Sequence, residues 1–270
     1  MKGFQEFQYY ISGLLFIGFA LLLLAVILHG SINYYLSPTM QKFAMMLMGG
    51  LFILGVSQIW RSLHTSHKSC DCHGIIPNPK RNSSLLLLLL IIILGFVLPD
   101  YALSNKMADL RGISYTFHTT SDSFERNYDL LKSHYDFVES KLKADDDVIR
   151  VHDGSFLDIL GLVHFKLEDY LGVQMEWTGF VHHDPALADN EWAIARFSFT
   201  CCVADAIGYG LIVSGSDELT IPSSGWVQVK GSIDKKIIEG NAVPTLQIES
   251  LITIEEPNEP YVYPTIMNNF

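Results

Sequence analysis

Three uncharged apolar runs in the first hundred residues constrain this chain more than any other feature. Tyr9–Leu28 ("YYISGLLFIGFALLLLAVIL") is 20 residues long, and Phe43–Trp60 and Asn82–Pro99 are 18 each. About 17–25 apolar residues are enough for a helix to cross a bilayer's hydrocarbon core. A cleaved signal peptide is the alternative for the first run, but that run exceeds the ~7–15 residues of a signal's apolar region. The following "LHGSINYY" also lacks a small-x-small cleavage site. The unbroken stretch Leu85–Leu94 has no polar face to turn toward water, which argues against a helix on a soluble core. Three transmembrane helices are therefore expected in residues 1–100.

Charge gives an orientation. Arg61, Lys68, Lys80 and Arg81 all lie in the 61–81 connection between the second and third runs, and an excess of Lys and Arg marks the cytoplasmic side. The expectation is a multi-pass plasma-membrane protein with everything after about Tyr101 extracytoplasmic. Residues 1–100 carry six basic and three acidic side chains, net +3, so the whole-chain −11 leaves −14 for residues 101–270. So acidic a half repels phosphate backbones, which require basic grooves, and nucleic acid is excluded as a partner. The three apolar runs contain no charge. Ion pathways usually need intramembrane ionisable groups, so a transporter made of this chain alone is not expected. Gly13, Gly18, Gly49, Gly50 and Gly55 offer small-residue faces for close helix contact.

The 61–81 loop reads "RSLHTSHKSCDCHGIIPNPKR" and gathers His64, His67, Cys70, Cys72 and His73 within ten residues. Imidazole and thiolate are the ligands zinc prefers, and short His/Cys-rich tracts are a compositional sign of metal binding. The loop is thus a candidate exchangeable site for Zn2+, with soft Cu+ as competitor. The plain alternative is a solvated linker with two reduced cytosolic thiols.

Residues 101–172 read as an irregular linker followed by helices. One helix is expected over Ser123–Lys143, with apolar residues at 3–4 spacing. A short strand follows at Val148–Val151, then a helix from Asp153 or Ser155 to the stop at Gly172. Leu157, Leu160, Val163, Leu167 and Tyr170 form that helix's buried stripe, with His164 at its edge. From Val173 on, five apolar runs separated by turn residues read as strands: "VQMEWTGFVHH", "EWAIARFSFTCCV", "YGLIVSG", "WVQVKGSI" and "TLQIESLITIE". Five such strands suit an OB-like β-barrel over residues 173–270, with a short sandwich fitting nearly as well. The Pro-rich tail from Glu255 is expected to be extended. The fold class is an α-helical membrane region joined to a soluble α+β domain.

Two of the four cysteines stand side by side in the second strand, "RFSFTCCVADAIG". Strand side chains alternate, so with Phe197 and Phe199 inward, Cys201 is expected inward and Ser198 and Cys202 outward. Cys201 and Cys202 can share a metal only if the strand ends there, and "ADAIG" supplies such a break, where Asp205 can join them. Three readings stay open: a vicinal disulfide, metal ligation, or a core thiol beside a spare one. An oxidising space outside the cell disfavours free thiols. His182, His183 and Asp184, at the end of the preceding strand, are either near this turn or a plain polar turn. No catalytic constellation stands out, and the chain reads as a non-enzyme.

The apolar spans with their Cys/His loop, the segment "GFV…ARFSFTCCVADAIGYGLIV…GWVQVKGSI" and the "PYVYP" tail together resemble the YcgQ-like family of uncharacterised bacterial membrane proteins. The resemblance covers essentially the whole chain, although family members commonly show two clear spans where three are counted here. It implies a companion multi-spanning permease and a role as its accessory subunit. The family pattern carries over onto Arg196, Cys201, Cys202, Asp205, Trp226 and Gly231, and leaves "HHD" at 182–184 outside it. The resulting expectation is an accessory permease subunit handling a transition metal, zinc first. The alternatives are a tethered redox protein using Cys201–Cys202 and a binding module for an envelope ligand.

Overall fold

The computed structural model describes residues 2–64, 79–98, 103, 105–116, 121–142, 144–145, 148–188, 190–215, 220–238 and 240–264. The chain divides into two compact units, Met1–Tyr101 and Ala102–Phe270.

The first unit holds α1 (Lys2–Leu28), α2 (Pro38–His64) and α3 (Pro79–Val97). Among the described residues, Tyr9–Leu28 and Pro38–His64 are long and apolar enough to cross a membrane, while α3 contributes the shorter apolar stretch Leu86–Val97. Leu21, Met46, Phe52 and Ile53 are exposed, which suits hydrocarbon far better than water. Leucine-rich helices gain little hydrophobic drive from pairing in lipid, so close packing must do the work. Gly13 and Gly55 provide it. A Cβ on Gly13 would stand 2.9 Å from the Gly55 carbonyl oxygen, and one on Gly55 3.0 Å from that of Gly13. Gly18 and Gly95 admit Ile92 of α3 and Leu22 of α1, whereas Gly49 and Gly50 meet nothing. Only part of the expected glycine face is used.

The second unit begins with a departure from expectation. The segment read as an irregular linker forms α4 (Asn105–Arg111) and β1 (Ile113–Ser114), and β1 joins the sheet in parallel with the later strand Ile207–Ser214. There follow α5 (Ser121–Lys141), β2 (Ala144–Asp145) and β3 (Val148–Arg150), then a 3-10 turn Asp153–Ser155 running into α6 (Phe156–Phe165) and α7 (Leu167–Tyr170). The single helix expected up to Gly172 is thus interrupted at Lys166. Neither expected side-chain cap forms at Asp153 or Ser155; the Asp153 carboxylate is taken by Arg196 instead.

The five long strands are β4 (Gln174–His182), β5 (Glu191–Ser198), β6 (Ile207–Ser214), β7 (Trp226–Ile238) and β8 (Asn241–Ile254). They close into a ring: β4 pairs antiparallel with β5, β5 with β6, β6 parallel with β8, and β8 antiparallel with β7, which returns to β4. The expected break "DKKIIEGNAVP" is instead the continuation of a long β7–β8 hairpin whose turn is made at Gly240 with φ 84°. The strands are right-twisted and a tight turn needs positive φ there, which glycine supplies without strain. Trp177, Trp192, Ile194, Leu211, Val229 and Leu246 from the ring form one core with Phe156, Leu160 and Val163 of α6.

β5 is buried along almost its whole length on both faces. Trp192 and Ile194 belong to the core shared with α6. The other face is a second aromatic layer, with Phe197 stacked on Phe180 at 5.2 Å and Phe199 against Tyr261 and Tyr263 at 4.9 and 5.4 Å. The C-terminal segment lies over this layer, pairing Tyr261 with Phe197 and donating the Val262 N–H to the Phe197 carbonyl at 3.0 Å. Simple in–out alternation therefore fails here: Ser198, expected outward, is buried.

Candidate functional site

β5 ends at Ser198, so its alternation does not reach the cysteines, and Cys201, expected to point inward, is exposed. Beyond Thr200 the chain turns into a single 3-10 turn, Val203–Asp205, in which Cys202 and Asp205 cap one another. Asp205 organises the turn. Its carboxylate accepts the N–H groups of Thr200 at 3.3 Å and of Cys201 and Cys202 at 3.1 Å, and the Cys201 thiol at 3.3 Å. Burial works to raise the Asp205 pKa, but these donors outweigh it and hold the carboxyl below its usual range. The same hydrogen bond to Asp205, then that to Cys202, pushes the Cys201 thiol up. A raised thiol pKa is the opposite of what a reactive, redox-cycling cysteine needs.

The turn brings Cys201, Cys202 and Asp205 together, with one donor atom from each within 4.8 Å of the others. The two sulfurs are unbonded, 3.8 Å apart. Two thiolates at ~2.3 Å from a tetrahedral zinc stand about 3.8 Å apart, and a thiolate and a carboxylate oxygen about 3.5 Å apart. The 3.3 Å from Cys201 Sγ to Asp205 Oδ2 is close to the second edge. Two of the three distances in the cluster are thus close to the edges of a metal tetrahedron, and the carboxylate that holds the turn is already fixed in place.

Sequence reasoning missed the group that braces this turn from outside. Arg111, at the end of α4, donates to the carbonyl oxygens of Ala206 at 3.0 Å and Val203 at 3.4 Å. The signal lies in "ADLRG", where an apolar-periodic stretch ending in Arg then Gly marks a helix C-terminus.

The other candidates are placed elsewhere. His64 closes α2, exposed, with its ring stacked on Trp60 at 4.6 Å. His67, Cys70, Cys72 and His73 lie outside the described residues. The 182–184 histidines and aspartate serve the fold. His182 is buried with Nδ1 3.4 Å from Asp109, His183 Nε2 is 3.2 Å from the Pro222 carbonyl, and Asp184 accepts the Tyr115 hydroxyl at 2.7 Å. Burial first, and that bond second, push the Tyr115 hydroxyl far above its ordinary pKa. His164 spans the Leu160 and Tyr115 carbonyls at 2.8 and 2.7 Å.

The pattern residues outside the turn are structural. Arg196 is fully buried and Trp226 nearly so, with the guanidinium 4.9 Å from the Trp226 ring centroid. Gly231 sits at a β-bulge between β7 and β8.

Two curated proteins are similar to this chain. The chain is 22% identical over 184 residues to the UPF0703 protein YcgQ of Bacillus subtilis (strain 168), covering 63% of this chain and 65% of that protein. It is 26% identical over 120 residues to a Streptococcus mutans protein named "Putative two-component membrane permease complex subunit", covering 43% of this chain and 42% of that protein. The matched stretches thus span less than two thirds of either relative. No solved structure matches. Residues 11–114 match the DUF1980 N-terminal domain and residues 129–264 the DUF1980 C-terminal domain, and the chain belongs to the DUF1980 family.

Proposed function

We propose that this protein is a non-enzymatic accessory subunit of a two-component membrane permease and that it handles a transition metal, zinc first. Its apolar segments would cross the plasma membrane three times, with residues 101–270 outside the cell. The name borne by the S. mutans relative, together with two exposed apolar helices, supports the membrane and permease parts. The ring order first–second–third–fifth–fourth, closed by a parallel pairing of third and fifth, supports reading the outer domain as OB-like. Residues 1–100, 101–172 and 173–270 are then membrane region, connecting helices and barrel. The single observation that carries the metal reading is the convergence of Cys201, Cys202 and Asp205 within 4.8 Å of one another on an exposed turn, with Cys201 at 3.8 Å from the Cys202 sulfur and 3.3 Å from the Asp205 carboxylate. The loop ligands His64, His67, Cys70, Cys72 and His73 would form a second, cytoplasmic station.

The chain purified in detergent under anaerobic conditions is expected to carry zinc. Cys201→Ser/Cys202→Ser should remove close to one equivalent and leave the melting temperature nearly unchanged, because the site lies on the surface. Equal metal content in the variant would overturn the metal reading. Failure of the tagged chain to co-purify any multi-spanning partner from native membranes would overturn the permease reading separately.

Acid should unload the site. Metal replaces the proton of each thiol, and the Cys201 thiol is held protonated by Asp205. Displacing the Cys201 proton alone is expected to lower the affinity by about 10-fold per pH unit on acidification. Competition titrations against a chelator of known pH dependence at pH 8, 7 and 6 provide the check; a flat profile would mean that the thiols are not ligands.

A further inference from the structure

Building on the metal reading, we infer that the Cys201–Cys202–Asp205 site keeps one coordination position open and takes its fourth donor, an imidazole nitrogen, from a second molecule. Among the described residues the ligand group closes at three. A zinc site with three protein ligands is of the open kind, with the fourth place left to water or an incoming group. Asp205 does not fill it by binding through both oxygens. Oδ1 accepts the Cys202 N–H, and Oδ2 accepts the N–H groups of Thr200 and Cys201; these take three of the carboxylate's roughly four lone-pair sites and leave room for one bond to a metal, not two.

The open side faces solvent. Cys201 and Asp205 are exposed, and Ile207, immediately after the turn, is half exposed. Arg111 lies on the carbonyl side of the turn, bonded to the Val203 and Ala206 oxygens, and so braces the ligands without competing for the metal. An incoming donor has room to reach the ion.

Charge selects the donor. Two thiolates and one carboxylate around a divalent cation already sum to −1, within a half of the chain that carries −14. A further thiolate would bring the local charge to −2 in an already acidic half of the chain, which disfavours it. A neutral imidazole completes the tetrahedron at no charge cost and is a preferred zinc ligand. The site is thereby suited to a metal shared between this chain and a histidine of another molecule, the geometry through which an ion is passed on.

The probe is Co2+ on the full-length chain carrying Cys70→Ser and Cys72→Ser, which removes the loop thiols from the spectrum. Sulfur-to-cobalt charge transfer reports binding at the turn and should vanish when Cys201→Ser and Cys202→Ser are added. Free imidazole is expected to shift the cobalt d–d bands in a saturable way, and a simple thiol at equal concentration to shift them far less. Bound cobalt whose bands ignore imidazole would show a closed site and overturn this inference alone. A stronger response to thiol would overturn the choice of donor. Absence of any thiolate–cobalt band would overturn the metal reading beneath it.

Discussion

Arg196→Met is expected to lower the stability of the C-terminal unit by about 3 kcal/mol, near the lower end of what removing one partner of a buried ion pair costs. The side chain is wholly buried, yet each of its three nitrogens donates. Nη1 is 2.6 Å from Asp153 and 3.4 Å from the Thr178 carbonyl, Nη2 is 2.7 Å from the Glu259 carbonyl, and Nε is 3.1 Å from that of Pro260. Burial pulls the guanidinium pKa down, and Asp153 and Glu259 oppose it. Asp153 is 44% exposed, so once orphaned it is rehydrated, which limits that part of the loss. The larger part comes from three carbonyl oxygens left without their donor and from the lost cation–π contact with Trp226. For a unit of this size such a loss corresponds to roughly 10 °C in melting temperature. Arg196→Lys should fall between wild type and Arg196→Met, since an ammonium keeps the charge but donates from a single nitrogen where the guanidinium reaches four oxygens from three. The Glu259–Pro260 carbonyls belong to the segment covering β5, so proteolysis near residues 256–264 should also accelerate in Arg196→Met. A melting shift below about 2 °C with unchanged proteolysis would refute this role.

Gly231→Ala is expected to cost a similar amount, about 3 kcal/mol, at the upper end for overpacking. At the bulge Lys230 pairs with Ser250 and Gly231 with Ile248, so Glu249 is the extra residue on β8. The bulge drives the two backbones together. A Cβ on Gly231 would overlap the Gln247 carbonyl oxygen and stand 2.8 Å from its carbon and 3.1 Å from the Ile248 Cα. All three are main-chain atoms, which cannot rotate away as a side-chain tip would, so relief requires prising β7 from β8. Gly154→Ala is the matched control: its Cβ meets nothing within 4 Å, and its effect should stay within about 0.5 kcal/mol. Thermal melts of both variants in the same detergent decide the matter, and equal melting temperatures would refute the steric account.

Much of the architecture could be read from local pattern because the pattern is the cause. The helices α1 and α2 follow from uncharged runs too long and too apolar for water. All five ring strands follow from apolar runs between turn residues. What escaped was coverage and closure. Ser198 reads as a solvent-facing residue, yet the tail buries it by returning to β5 from sixty residues away. Arg196 stands out in the sequence only through the family pattern, and nothing local reveals that its partners are Asp153, Thr178, Glu259 and Pro260. The "KKII" of β7 lacks a clean alternation and reads as a break, whereas pairing with β8 carries the strand through it.

The candidate site divides in the same way. Sequence alone determined which atoms were available: two adjacent thiols, an aspartate three residues on, and a break to bend them. Those are properties of residue type and spacing, and they survive without any fold. Only the tertiary structure decided that β5 stops at Ser198 under the returning tail and that Arg111 braces the turn from a helix ninety residues earlier. It also decided that Asp205 accepts three N–H groups and that the two sulfurs stand 3.8 Å apart beside it, with Cys201 exposed. Distances between residues far apart in the chain are set by packing, and packing is a sum over contacts that no local stretch contains.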